Sequence, residues 1–93
     1  MGRPARLLPV ELCPAPWPEE PSDDRAAETA RRLVVNLRAA MNGRTLRAVA
    51  ADAGMGHVTV QRVLTGQAWP DLQTIARLED GLDADLWPVR PRP

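Results

Sequence analysis

Twelve arginines and no lysine supply the positive charge of this 93-residue chain, and they are unevenly placed. Residues 28–66 hold six Arg against two acids, residues 1–27 three against five, residues 67–87 one against five, and residues 88–93 two against none. A guanidinium is a planar fork that donates two parallel hydrogen bonds, so it suits phosphate oxygens and the edge of guanine better than an ammonium does. A positive middle between acidic flanks is what a surface facing a polyanion would require. The formal net charge of zero argues against a strongly basic protein that coats nucleic acid without selectivity.

Other chemistries find little material. His57 is the single histidine and Cys13 the single cysteine, the latter inside a proline-rich stretch. There is no Gly-rich phosphate loop and no carboxylate cluster beside a base, so no catalytic residue, metal ligand or cofactor site is expected. Glu79 and Asp80 are adjacent and would point in different directions on a helix, which makes them acidic surface. One cysteine forms no internal disulfide, and a reducing cytoplasm is the expected setting. No apolar run approaches the ~20 residues of a membrane span, and the amino terminus lacks the basic region and apolar core of a signal peptide. The load of Arg, Ala and Pro points to the codon usage of a GC-rich bacterial genome.

Chemistry of this kind needs a rigid support, and a chain of this length buries only about two-thirds of its unfolded surface. The apolar residues are mostly Ala, Val and Leu, with three Trp and neither Phe nor Tyr, which favours helix over sheet. Six of the ten prolines fall between residues 1 and 21, too closely spaced for helix or central strand. That segment reads as an extended arm. Its Leu7, Leu8, Val10, Leu12 and Trp17 leave two alternatives, disorder or docking on the domain or a second subunit.

Residues 22–87 read as the domain. Ser22, Asp23 and Asp24 are N-cap candidates for a first helix in which Ala26, Ala30, Leu33, Val34, Leu37, Ala40 and Met41 form one stripe, closed by Asn42-Gly43. Thr45 caps a short second helix with Leu46, Val49, Ala50 and Ala53 on one face, ended by Gly54. Gly56 starts a third that runs to about Thr65, with Val60, Val63 and Leu64 inward. Asp71 caps a fourth whose Leu72, Ile75, Leu78 and Leu82 face the core. Asp85-Leu86-Trp87 adds one further turn, and residues 88–93 are expected to form a tail.

Two helices of about eight residues are marginal alone and must pack steeply against their neighbours. A small Ala50 at the crossing and a Gly54 tolerant of positive φ allow this. The run TLRAVAADAGMGHVTVQRVLTG closely resembles the helix-turn-helix of the lambda-repressor-like, or XRE, group. The matching positions are Thr45, Ala50, Gly54, Thr59-Val60, Arg62-Val63, Gly66, Pro70 and the Leu-rich stretch from Leu72 to Leu82. The resemblance covers roughly residues 28–87. The stretch from Gly54 to Gly66 also looks like the lactose-repressor type, but the continuation Trp69-Pro70-Asp71-Leu72 with Thr74-Ile75 and Leu78 favours the former. Two positions depart from the pattern: Leu46 stands where Gln is common, and Asp71 where Ser is frequent.

The resemblance implies an all-α, compact four- to five-helix domain that binds double-stranded DNA and regulates transcription, typically as a repressor. It implies that the third helix enters the major groove, which is about 12 Å wide and admits one α-helix. The outward residues His57, Val58, Thr59, Gln61 and Arg62 are then the candidates for base contacts. Gln61 can pair bidentately with adenine and Arg62 with guanine, and Val58 can meet a thymine methyl. Arg62 has a rival role on phosphate or a neighbouring acid. Arg44, Thr45, Arg47 and Thr65 are the candidates for the DNA backbone, the first three beside the amides of the second helix. Trp69 is expected either to pack or to reach a phosphate through its indole N–H. Arg3 in Gly2-Arg3-Pro4, with Arg6, is either a short minor-groove arm or an unstructured basic tip.

A homodimer is expected, because two joined modules read half-sites about 34 Å apart more tightly than one reads a single site. Its candidate contacts are the arm and Leu82, Leu86 and Trp87. The alternative partner is a protein, as for an antitoxin or an adaptor that uses the same domain together with the apolar arm.

Overall fold

The computed structural model describes residues 7–90, and these form α1 (Pro9–Leu12), α2 (Arg25–Met41), α3 (Leu46–Ala53), α4 (His57–Leu64) and α5 (Leu72–Leu82), with no strand among them. None of these helices is long and apolar enough to cross a membrane. α3 packs on α4 and α5, α4 also touches α2, and α1 lies on α2. Leu33, Val34, Leu37, Val49, Val60, Leu78 and Leu86 are each essentially sealed from solvent. Burying a side chain of this size contributes about 1.5–3 kcal/mol, so this small set supplies much of the driving force.

Local chemistry sets the helix ends. The Asp24 carboxylate accepts the Ala27 N–H at 2.9 Å to start α2, and Asn42 ends it in the left-handed region at φ 48°. Thr45 accepts the Ala48 N–H at 3.1 Å to start α3, and Gly54 closes it at φ 69°. The Asp71 carboxylate, held below its ordinary pKa by the Thr74 backbone N–H, starts α5 at 2.7 Å. Near the other end of α5, a Cβ built on Gly81 would lie 2.7 Å from the Asp52 carbonyl oxygen and 2.8 Å from Ala53 Cα. α5 and α3 approach there as closely as two helices can.

Several expectations need correction. In the first turn of α2 it is Ala27, not Ala26, that is buried; both lie at allowed helical spacing from Ala30, and Ala27 wins because the amino-terminal segment covers it. Cys13 Sγ lies 3.9 Å from the Ala27 carbonyl oxygen, and burial pushes the Cys13 thiol up. Leu72 is 78% exposed. It is the first residue of α5, and because helix side chains tilt toward the amino terminus it projects past the end of the contact with α3.

Residues 85–87 do not form a helical turn. Their backbone is instead held by side chains: the Glu79 carboxylate accepts the Leu86 and Trp87 N–H groups at 2.8 and 3.2 Å, and Asn36 Nδ2 donates to the Leu86 carbonyl at 2.9 Å. This drives Leu86 into the core with no exposed surface, which removes it as a dimer contact. Leu82 is half-buried against the same core, and of the three candidates only Trp87 is exposed. Arg32 Nη2 donates to the Val89 carbonyl at 2.9 Å, so the start of the expected tail is tied to α2.

The proline-rich segment also contains a helix. Pro9 occupies the first position of α1, where a missing N–H is no loss, and the Glu11 carboxylate accepts the Leu8 N–H at 2.9 Å. From residue 7 onward the segment packs on the chain's own helices. Trp17 Nε1 donates to the Leu64 carbonyl at 2.8 Å, Val10 N–H to the Gly66 carbonyl at 3.1 Å, and Ser22 Oγ to the Leu12 carbonyl at 2.6 Å. Its far end is clamped by Arg31, which donates to the Pro18 carbonyl at 3.0 Å while gripping Glu28 bidentately at 2.7 and 2.8 Å. Glu28 also accepts the Ser22 N–H at 2.9 Å. The Arg31 hydrogen bonds, and then the Ser22 amide, bring the Glu28 carboxyl down to about 2.

Candidate nucleic-acid interface

α3, the turn through Gly54 and α4 form one unit in which the second helix is anchored by its valines. Val60 is fully buried and Val63 is 3% exposed, and three-residue spacing puts both on the inner face. Val58, Thr59, Gln61 and Arg62 are consequently exposed, whereas His57 at the start of α4 is half-buried. No hydrogen bond or ion pair among the described residues engages the side chains of Arg47, Gln61 or Arg62. Their donors are open to a ligand.

The other candidates are already engaged. Arg44 is ion-paired with Asp52, the single acid between Arg44 and Gly66, two turns along α3. The Thr45 hydroxyl oxygen is taken by the Ala48 amide, which leaves its O–H as a donor. The Thr65 hydroxyl donates back onto the Gln61 carbonyl at 2.9 Å, so it offers lone pairs rather than a proton outward. That geometry is ill suited to a phosphate oxygen.

α4 begins at Gly56, which has no side chain to cap the first-turn amides. Together with Arg47 and the exposed face of α4, those amides make a surface rich in donors, and its one carboxylate is neutralised by Arg44. Such a surface binds an acceptor-rich polyanion and can distinguish acceptors by position.

Trp69 does not present its indole to this surface. Its Nε1 donates to the Leu7 carbonyl at 2.9 Å, which makes it a fastener for the amino-terminal segment. Arg3 and Arg6 lie outside the described residues. The sequence reading missed that Gly66 and Leu64, at the carboxyl end of α4, receive Val10 and Trp17. The available signal was a large apolar Trp17 in a proline-rich stretch, a residue that seldom stays in solvent.

Residues 25–90 match the helix-turn-helix domain family. The chain belongs to that family. Membership supports DNA binding, and the matched stretch spans α2 to α5. No curated protein and no solved structure matches the chain.

Proposed function

We propose that this helix-turn-helix protein binds double-stranded DNA sequence-specifically as a bacterial transcriptional regulator of repressor type, in the manner of the lambda-repressor-like group. α4 enters the major groove. Gln61 and Arg62 read base edges, assisted by Val58, Thr59 and His57, while Arg47, Thr45 and Arg44 hold phosphates. Arg44 does so by exchanging Asp52 for a phosphate oxygen. The protein acts in the cytoplasm as a homodimer, because the few phosphate contacts of one module give weak binding by themselves.

The observation that carries this reading is the split on α4: two valines locked in the core and, on the opposite face, Gln61 and Arg62 with unengaged donors. Selection of duplexes from a random DNA pool by the purified protein tests it. A defined motif should emerge. Gln61→Ala should cost about 1–3 kcal/mol on that motif and relax one base position. Arg47→Ala should weaken all duplexes alike and reduce the salt slope by about one. Unchanged sequence preference after altering both Gln61 and Arg62 would refute the assignment of readout to α4.

The reading as an antitoxin or adaptor rested on the apolar arm. Val10 and Trp17 are instead taken up against the chain's own α4 and Gly66, so that arm supplies no free surface through these two residues.

A further inference from the structure

Away from α3 and α4, two adjoining cavities meet at Thr29 and Trp87. One, of about 290 Å³, has an apolar floor of Ala30, Leu33, Ile75, Trp69 and Pro70, with Trp87 as its wall. The other, of about 520 Å³, is bordered by Arg25, Arg32 and Arg90. Glu28 also lines it, but that carboxylate is saturated by the bidentate grip of Arg31 and by the Ser22 amide. The rim is therefore cationic, with three guanidiniums and no free acid. Trp87, 54% exposed, stands between floor and rim.

We propose that this groove is a docking site for an acidic peptide segment of a protein partner, one that places a large apolar side chain on the Trp69–Ile75 floor and carboxylates against Arg25, Arg32 and Arg90. Desolvating the floor needs an apolar anchor, and the guanidinium forks pair best with carboxylates flanking it. A duplex satisfies the rim but has nothing to fill the floor. A second copy of this chain also fits poorly. The acidic hollow lined by Asp80, Asp83 and Asp85 has Ala84 as its single apolar lining residue, and residues 1–6 contain two Arg and no acid. No residue of the groove belongs to α3 or α4, so the proposal stands apart from the DNA reading, and a bound partner leaves the α4 face clear.

The test is display selection from a random peptide library on the full-length protein, followed by binding and NMR with one selected peptide. Selected peptides should carry several Asp or Glu around one large apolar residue, and the indole N–H signals of Trp69 and Trp87 should shift while the α4 amides do not. The double change Arg25→Glu with Arg32→Glu should weaken binding about tenfold or more and turn selection toward basic peptides. Trp87→Ala should weaken it comparably, and affinity for a selected duplex should be unaltered in the arginine variant. Neutral or basic peptides from the unmodified protein, binding indifferent to the arginine changes, or shifts confined to α4 would overturn the proposal. So would a DNA duplex moving the Trp87 signal. Sedimentation showing a dimer that Trp87→Ala abolishes would overturn it too, by giving the groove to a second copy.

Discussion

α4 starts from Gly56, which offers no cap to the first-turn amides, whereas at its other end the Leu64 carbonyl accepts the Trp17 indole and the Gly66 carbonyl accepts Val10. The other helices of eight residues or more all have side-chain caps at their amino ends, from Asp24, Thr45 and Asp71. The one end left bare is the start of the helix that the proposed binding mode turns toward the duplex. The opposite end, where the helix dipole is negative and an anion would be repelled, is closed by the protein itself. Polar backbone groups at helix ends need partners, and at the carboxyl end of α4 the chain itself supplies them.

Breaking the closed end should have the largest effect. Gly66 has φ 71°, and a Cβ there would fall 2.8 Å from Val10 Cβ and 2.9 Å from the Trp17 ring. Gly66→Ala combines left-handed strain with overpacking and should destabilise by about 2–4 kcal/mol, read as a lowered midpoint in urea. Wild-type stability in that variant would mean that the segment does not dock in solution. Trp17→Phe keeps a ring but strands the Leu64 carbonyl; it should cost about 1–3 kcal/mol. Amide exchange should rise at the last turn of α4 more than at its first.

The Glu28 clamp offers a reversible way to loosen the same segment. Its carboxyl titrates at about 2 in the fold against an ordinary 4.5, so the stabilisation is complete above about pH 4.5 and is lost as pH falls toward 2. Allowing for partial exposure it amounts to about 1–2 kcal/mol, and Glu28→Gln should flatten that acid limb of the stability profile. A profile unchanged by Glu28→Gln would show that other carboxylates govern acid unfolding.

At the bare end the expected effects are smallest and of opposite sign. Gly56 has an ordinary φ of −70°, and nothing lies within 4 Å of a Cβ built there. Gly56→Asp should therefore cap α4 and stabilise the fold by a few tenths of a kcal/mol, while costing about 1 kcal/mol of duplex affinity by adding a carboxylate to the end of the helix that faces a polyanion. A variant that gained stability and kept its affinity would show that this end of α4 does not approach the duplex.

The same contrast explains what could be read from the sequence. From α2 to α5 the fold rests on local rules, and Asp24, Thr45, Gly54, Asp71 and the inward positions of Leu33, Val60 and Leu78 on their helices announce it. The amino-terminal segment rests on contacts between residues nearly fifty positions apart, such as Trp17 with Leu64, and no periodicity encodes them. The burial of Leu86 is hidden from the sequence for a related reason, since it depends on Glu79 and Asn36 holding a loop backbone. In the candidate site, the outward set on α4 followed from the positions of Val60 and Val63. Arg44 and Trp69 were less legible because each finds an intramolecular partner that sequence spacing alone does not reveal, whereas the Thr65 bond to the Gln61 carbonyl is a local pattern of helix spacing.

The near-contact of Gly81 with Asp52 and Ala53 means that a hydrogen atom is the spacer between α5 and the helix that carries α4. A single methyl inserted there would act as a wedge at the base of a lever, with α3 as its arm and the reading face at its tip. The aim of that face toward a duplex is thus calibrated from behind, by a residue that would never touch DNA.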